Sequence, residues 1–355
     1  MEKTTEKENR PNSAELKEES EKTRPSDAEL KEETARKNLF REGEEISGVV
    51  IKGYDFSKGV DYNEIVKGFS TSGFQASNLA KAIEIINNMI EDGAIIYLGY
   101  TSNMVSSGIR ETIKFLIQNK KVDICVTTGG GVEEDIIKCL GDFILGDFGA
   151  KGSELRNRAI NRIGNIFVPN SRYVKFEQFV MPVLEELYQE QKKRGKPLLT
   201  YDIVWKLGEK INDERSICYW AWKNKIKIYC PTVMDGSLGD MIYLFKHKRE
   251  DFIIDISEDT KEFNNSTIGL LKSGVIILGT GVVKHSILNA NMYRNGADYA
   301  VYINNAHEFD GSDSGALPEE AVSWGKLAPE SQRVKVFGDA TILFPIVVAE
   351  TFAKK

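Results

Sequence analysis

AIIYLG (residues 94–99) and VDICV (residues 122–126) are two short apolar runs, and between them residues 104–118 have the spacing of an amphipathic helix. Short apolar runs bounded by turn residues are typical of buried strands. The same alternation continues along the chain and predicts further strands at 225–229, 252–256, 275–278, 299–303 and 334–337. Apolar strands that alternate with helices form a parallel sheet covered on both faces. The sequence therefore predicts an α/β, doubly wound, Rossmann-like fold with a mainly parallel sheet.

The rest of the chain fits around this sheet as a single domain. Helical patterns occur at 61–69, 78–90, 133–140, 239–245 and 266–272. A long charged stretch, 151–215, interrupts the alternation, and we predict that it is mainly helical. A length of 355 residues alone suggests about two domains. However, no Pro/Gly/Ser-rich linker divides the chain after residue 38, so we expect one catalytic domain over residues 39–355.

Residues 1–38 differ in composition from everything that follows. They hold 11 acidic and 9 basic side chains but few large apolar ones, which predicts a charged, flexible tail. RPNSAELKEES (10–20) is repeated fourteen residues later as RPSDAELKEET (24–34). Each copy has the proline, the Ser/Asp cap and the charged residues that are typical of a helix start. A solvated tail and a regulatory lid both fit this pattern.

Composition excludes several classes of protein. The net charge of −6 disfavours a nucleic-acid binder, which usually carries a basic field. No run of about 18 apolar residues predicts a membrane span, and the first residues lack the apolar segment of a secretory signal. The cysteines and histidines have no metal-binding spacing, so we expect no metal, free thiols and a cytoplasmic protein. They are Cys125, Cys139, Cys218, Cys230, His247, His285 and His307.

Small or glycine-rich turns follow five of the predicted strands. They begin at Tyr100, Thr127, Gly279, Asn304 and Gly338. Ligands of doubly wound sheets bind at the carboxyl ends of strands, and glycines let a backbone approach a phosphate closely. Any one of these turns could be purely structural, and none matches GxGxxG. Together they indicate a nucleotide cradle large enough for a dinucleotide.

Acidic residues cluster at the same predicted strand ends. Glu133 and Glu134 follow a triple glycine, and further acids occur in 234–240, 308–313 and 319–320. Carboxylates at a helix start often only cap it or compensate its dipole. Residues 310–315 resemble a calcium loop but lack the full twelve-residue pattern, so we favour a plain turn there over a calcium site. If these acids converge, they would bind a cation such as a polyamine.

AVSWGK (321–326) and His285 are the candidates for the chemical step. Trp324 could stack on an aliphatic cation, and Lys326 could form an imine with a carbon substrate. His285 could accept a proton as a neutral imidazole. The structural alternatives are a surface lysine beside a packed tryptophan and an ordinary core histidine.

Six segments of the chain closely resemble the deoxyhypusine synthase family, and the likeness runs from about Lys52 to the C-terminus. The segments are LGYTSNMVSSGIRET (98–112), VTTGGGVEEDIIKCL (126–140), MDGSLGDMI (234–242), ADYAVYIN (297–304), EFDGSDSGA (308–316) and EEAVSWGK (319–326). The resemblance implies an enzyme that uses NAD and spermidine. Such an enzyme transfers the aminobutyl group of spermidine, through an imine on its own lysine, to one lysine of the translation initiation factor five A precursor.

The resemblance also assigns roles to individual residues. It makes Lys326 the nucleophile and His285 a proton acceptor. The cofactor contacts that it implies are Ser102, Asn103, Met104, Val105, Ser106, Thr128, Gly129, Gly130, Glu134, Asp235, Thr280, Asn305, Ala306, Asp339 and Ala340. The spermidine contacts are Glu133, Glu134, Asp240, His285, Gly311, Ser312, Asp313, Glu320, Trp324 and Lys326.

Three further expectations come from the resemblance. The family forms a homotetramer of two tight dimers, with active sites at the dimer interfaces. Thr280 stands where the family commonly has glycine, next to the dinucleotide. Two other functions stay open at this stage: a homospermidine synthase, which uses putrescine as the acceptor, and a non-catalytic regulatory subunit.

Overall fold

The computed structural model describes residues 26–354, and the chain divides into two compact units between Val50 and Ile51. In the first unit, helix α1 (Asp27–Leu39) begins at a capping box. The Ser26 N–H donates to Glu29 Oε2 at 2.6 Å, and the Glu29 N–H donates to Ser26 Oγ at 3.3 Å. The second sequence repeat is therefore a helix start, as predicted. The first repeat lies outside the described residues.

A parallel sheet of six strands forms the centre of the second unit, in the order β6-β2-β1-β7-β8-β9. Its strands are β1 (Ile95–Tyr100), β2 (Ile124–Val126), β6 (Lys227–Tyr229), β7 (Ser273–Leu278), β8 (Ala297–Asn304) and β9 (Leu327–Phe337). Counted along the chain, this is the order 3-2-1-4-5-6 of dinucleotide-binding sheets. The strand order reverses between β1 and β7, so a ligand crevice is expected at their carboxyl ends.

Helices cover both faces of the sheet, and the side chains of each strand alternate between two apolar clusters. In β1, Leu98 and Tyr100 pack in one cluster and Tyr97 in the other. The helices are α2 (Tyr62–Gly68), α3 (Phe74–Glu91), α4 (Ser102–Ser106), α5 (Arg110–Gln118), α6 (Gly129–Leu140), α7 (Gly152–Asn157), α8 (Ser171–Arg194), α9 (Thr200–Ile211), α10 (Ile217–Asn224), α11 (Ser237–Lys246), α12 (Ile256–Asn265), α13 (Val282–Met292), α14 (Pro318–Ser323) and α15 (Ala340–Glu350). The doubly wound fold is confirmed. Within residues 26–354, no helix is both long and apolar enough to cross a bilayer.

Two predicted elements after α11 are wrong. Residues 252–256 form no strand, apart from one bridge between Leu198 and Ile254. Asp255 ends this segment, because its Oδ1 accepts from the N–H groups of Ser257 and Glu258 at 2.9 Å and so starts α12. Residues 266–272 form turns and not a helix.

Two further regions are more broken than their patterns predict. The single helix expected at 104–118 is two helices, α4 and α5, because the backbone is extended at Ser107. The stretch 151–215 is not only helical. It contains β4 (Ile160–Ile163) and β5 (Ile166–Pro169), which form a small antiparallel sheet with β3 (Ile144–Leu145).

Candidate active site

The turns after β1, β2 and β7 lie against one another at the carboxyl edge of the sheet. Gly279, at φ +82°, follows β7, and a side chain there would collide with Thr101, which follows β1. A Cβ on Gly130 would lie 2.8 Å from the Ser102 Cβ. Glycine is therefore required at both positions, because the turn after β1 approaches too closely to leave room for a Cβ. These three turns therefore meet at the point where the strand order reverses.

These turns have the features that a bound dinucleotide needs. The hydroxyl oxygen of Thr128 is buried and has no hydrogen-bond partner among the described residues. Gly129 lies against Asp235 and the turn after β6, since a Cβ there would come within 3.0 Å of the Thr232 carbonyl oxygen. Unpaired polar atoms beside side-chain-free backbone fit a ligand with hydroxyl and phosphate groups. The residues present therefore fit the cofactor that the sequence suggested.

Glu133 and Glu134 are both buried in the first half of α6. Glu133 Oε2 accepts from the Leu238 N–H at 2.6 Å, and burial raises the pKa of this carboxyl. Glu134 accepts a hydrogen bond from Ser106 Oγ, which joins α6 to α4. Burial raises the pKa of Glu134 to about 7, and the neighbouring charge of Glu133 acts in the same direction. Two buried carboxyls next to the turns can pair with a cation or with a ligand hydroxyl.

Asp235 and Asp240 lie near this pair but face solvent. Asp240 is in the first turn of α11, and both charges help to raise the pKa of Glu133. The side chains of Met104 and Val105 are buried in the core, so only their backbone is available to a ligand. Asp339 caps α15, because its Oδ1 accepts from the Thr341 N–H at 2.8 Å.

Two buried lysines hold the loop at residues 305–316, which carries several predicted contacts. Lys335 Nζ donates to the carbonyl oxygens of Ala306 at 2.5 Å and Gly315 at 2.8 Å. Lys284 Nζ donates to those of Asp313 and, at 3.1 Å, of Ala316. Burial lowers the pKa of both lysines. The two ammonium groups therefore fix the two ends of this loop.

His285 and Asp313 are brought together, as the sequence suggested. His285 Nδ1 lies 3.4 Å from Asp313 Oδ1, and the imidazole is half-exposed. Asp313 Oδ2 is buried and has no partner among the described residues. A carboxylate beside an imidazole orients the ring and can hold its proton.

The backbone of Lys326 lies at the amino end of β8, whereas the glycine turns follow the carboxyl ends of the strands. The Ala297 N–H, at the start of β8, donates to the Lys326 carbonyl oxygen at 3.0 Å, whereas Asn305 follows the end of the same strand. Eight residues of strand span about 23 Å. Lys326 Nζ lies 5.7 Å from the centroid of the exposed Trp324 ring. Burial is the largest cause of the lowered pKa of Lys284, while the nearby charge of Lys326 lowers this pKa further and that of Glu320 raises it.

The remaining predicted residues lie along the same edge and, apart from Ala340, are exposed or half-buried. Thr280 lies between two glycines with positive φ, at the start of the turn into α13. Asn305, Gly311 and Ser312 are exposed on the lysine-held loop, and Ala340 is buried at the start of α15. Lys138, Lys284 and Lys335 were not predicted. The only signal for Lys335 was its position in an apolar strand, Val334-Lys335-Val336.

Comparisons with known proteins agree with this geometry. The deoxyhypusine synthase family model matches residues 64–351. A deoxyhypusine synthase from Senecio vernalis is 47% identical over 348 residues, which covers 90% of this chain and 94% of that protein. One from Nicotiana tabacum is 48% identical over 359 residues, with 91% and 95% covered. A crystal structure from Entamoeba histolytica, assigned to the same enzyme, has a TM-score of 0.64 and 35% identity over 85% of this chain and 97% of that one. The chain therefore belongs to the deoxyhypusine synthase family of transferases.

Proposed function

We propose that this chain transfers the aminobutyl group of spermidine to one lysine of the translation initiation factor five A precursor, with NAD as the cofactor. The observation that carries the proposal is the buried pair Glu133 and Glu134 beside the glycine turns where the strand order reverses. That arrangement offers a cation site next to a dinucleotide site. Membership of the family supplies the reaction in which both are used.

The reaction proceeds by imine exchange on Lys326. Bound NAD would supply the hydride acceptor for the spermidine carbon next to the secondary amine and the hydride donor for the last step. Removal of that hydride and of the amine proton would leave a C=N bond, and the amine of Lys326 attacks its carbon. Diaminopropane leaves with the original nitrogen, and the aminobutyl group stays on Lys326 as an imine. The acceptor lysine then displaces Lys326 in the same way, and the returning hydride reduces the new imine to a secondary amine.

The other residues bind the substrate and hold protons. His285, oriented by Asp313 at 3.4 Å, accepts the proton lost from the spermidine amine. Carboxylates bind the ammonium groups, namely Glu133, Asp240, Asp313 and Glu320. The exposed ring of Trp324 packs against the hydrocarbon chain and attracts its cationic ends. The hydroxyl and backbone groups of residues 102–106, 128–130 and 305–306 hold the dinucleotide.

We further propose that the protein works as a homotetramer of two tight dimers. Within one chain, the backbone of Lys326 pairs with the amino end of β8, whereas Asn305 follows the carboxyl end of that strand. A second copy that contributes residues at a dimer interface would complete a site with both parts. The four free cysteines support a reducing, cytoplasmic setting.

The decisive experiment is an acceptor assay. The purified chain is incubated with NAD, spermidine labelled in its aminobutyl group and the factor precursor. We expect label on the precursor, and no label when NAD is omitted or when the acceptor lysine of the precursor is replaced by arginine. Label only on added putrescine would instead show a homospermidine synthase. No transfer to either acceptor would contradict both enzymatic functions and favour a non-catalytic subunit.

A further inference from the structure

Helix α4 contains only five residues, and its C-terminal carbonyls cannot all be satisfied within the helix. The chain leaves α4 in an extended conformation at Ser107 and begins α5 three residues later. The last carbonyls of any helix lack intrahelical donors and need partners elsewhere. In α4 they belong to the same short turn that the proposed function assigns to the dinucleotide.

Lys138, on α6, supplies those partners. Its Nζ donates to the carbonyl oxygens of Val105 at 3.0 Å, Ser106 at 3.3 Å and Ser107 at 3.0 Å. One ammonium group therefore uses all three of its protons on consecutive carbonyls. The side chain is half-buried, so a neutral residue there would leave these carbonyls without their donor.

Glu134 holds the same turn one helical turn earlier on α6. Residues four apart on a helix share a face, so Glu134 and Lys138 are presented together to α4. Glu134 accepts from the Ser106 hydroxyl, while Lys138 donates to the Ser106 carbonyl. Ser106 is therefore held through both its side chain and its backbone carbonyl. This fixes the position of Ser102, which packs against Gly130 at the start of α6.

We propose that Lys138 is a positioning residue for cofactor binding, which holds the Ser102–Ser106 turn against α6 in the geometry that the dinucleotide requires. This inference rests on the proposed use of NAD. Lys138 does not itself contact the ligand. Its three bonds set where the backbone and hydroxyl groups of the turn lie, and small displacements of such groups weaken binding strongly.

The test is the dissociation constant for NAD, measured by titration calorimetry on the full chain with Lys138→Met. We expect it to rise about tenfold, the equivalent of about 1.4 kcal/mol, while the KM for spermidine changes less than twofold. Lys138→Arg keeps the charge but cannot direct one nitrogen to three carbonyls, so its NAD dissociation constant should rise about threefold. Lys175→Met is the matched control. Lys175 Nζ also donates to a helix-end carbonyl, that of Leu140 at 3.3 Å, but on the exposed side of α6, and its loss should leave NAD affinity unchanged.

The outcomes separate this inference from the proposed function. Wild-type protein that fails to bind NAD would contradict the proposed function itself. Wild-type binding with an unchanged constant in Lys138→Met would overturn only the positioning role. A parallel rise in the NAD constant and in the KM for spermidine would also overturn it, because that is the result of a general packing defect. Should Lys138→Met fail to fold, unchanged NAD affinity in Lys138→Arg overturns the role.

Discussion

The two halves of the carboxyl edge differ in whether their candidate side chains are themselves buried. In the acid half, which comprises the turns after β1, β2 and β6, the carboxyls of Glu133 and Glu134 are themselves buried and held by a backbone N–H and a hydroxyl. In the lysine half, which comprises the turns after β7, β8 and β9, the candidate side chain of His285 is half-exposed. There the backbone is held instead, by buried Lys284 and Lys335.

This difference separates two ways of building a site. A buried carboxyl makes its own protonation sensitive to the surroundings, so the acid half should respond to pH and to loss of charge. A loop fixed through its carbonyls keeps its side chains free for a ligand, so the lysine half should respond to loss of its anchors.

The largest expected effect lies outside both halves, at Lys326. In Lys326→Ala, activity should fall by at least about a thousandfold because the covalent route is lost. NAD affinity should stay unchanged, since the backbone of Lys326 pairs with the amino end of β8 and Asn305 follows the other end. The measurement is borohydride trapping of labelled spermidine on the protein, together with an NAD titration.

Lys272→Ala is the control for this change. Lys272 is another exposed lysine at the amino edge of the sheet, and it directly precedes β7. It should remain active and trap label normally. Trapped label on the Lys326→Ala protein would show that another lysine is the nucleophile.

In the lysine half, Lys335→Met should displace the loop at residues 305–316. Two backbone carbonyls lose a charged donor, so the free energy of unfolding should fall by about 1–3 kcal/mol. Activity should fall about a hundredfold, because displaced groups no longer meet the substrate. Chemical denaturation and the acceptor assay measure the two effects.

Lys246→Met is the matched control for Lys335→Met. Lys246 Nζ also donates to two carbonyls, those of Glu250 at 2.8 Å and Phe252 at 2.6 Å, but it is exposed at the end of α11. We expect it to retain full activity. Equal losses of activity in Lys335→Met and Lys246→Met would show that the lysine half depends on its lysine no more than an exposed helix end does.

In the acid half, Glu134→Gln should change how stability depends on pH. The folded state holds the Glu134 proton up to about pH 7, above the ordinary value of 4.5, so it binds more protons than the unfolded chain between these values. The contribution of the Glu134 carboxyl to the free energy of unfolding therefore becomes less favourable as the pH rises from about 4.5 to 7. At 1.4 kcal/mol per unit, Glu134→Gln should gain about 2–3 kcal/mol over wild type between pH 5 and pH 8.

Urea unfolding at these two pH values measures this gain. Asp259→Asn is the comparison, because burial raises the pKa of Asp259 only to about 6. Asp259→Asn should also gain unfolding free energy over wild type between these pH values, but by a smaller amount. Parallel pH dependence in wild type and Glu134→Gln would show that the Glu134 carboxyl is not held as the acid half requires.

Most of the fold and of the acid half could be predicted from the sequence, because both follow from local patterns. Apolar runs between turns gave the six parallel strands, and glycines after them marked where backbones meet. The prediction of a strand at 252–256 was wrong because Asp255 caps α12, so that a helix begins at Ile256. Apolar composition alone could not distinguish that segment from a strand.

The lysine half could not be predicted, since it depends on contacts between residues far apart in the chain. Lys335, on β9, donates to the carbonyl oxygen of Ala306, which follows β8. The residues next to Lys335 in the sequence do not indicate that such an acceptor is within reach. A lysine is usually exposed, so its burial becomes plausible only when the fold supplies carbonyl partners.

The smallest expected effect comes from the N-terminal unit, since none of its residues is assigned to either half. Residues of α1 are all exposed, and the helix is supported by its own capping box and by the Arg36–Glu32 pair at 3.0 Å. Deleting residues 1–36 should therefore leave the NAD dissociation constant unchanged within about twofold, whereas a lost anchor of the nucleotide turn costs more. Titration of the truncated and full chains with NAD measures this. A rise of tenfold or more would mean that the cofactor site includes a third region, and the comparison of two halves would then be incomplete.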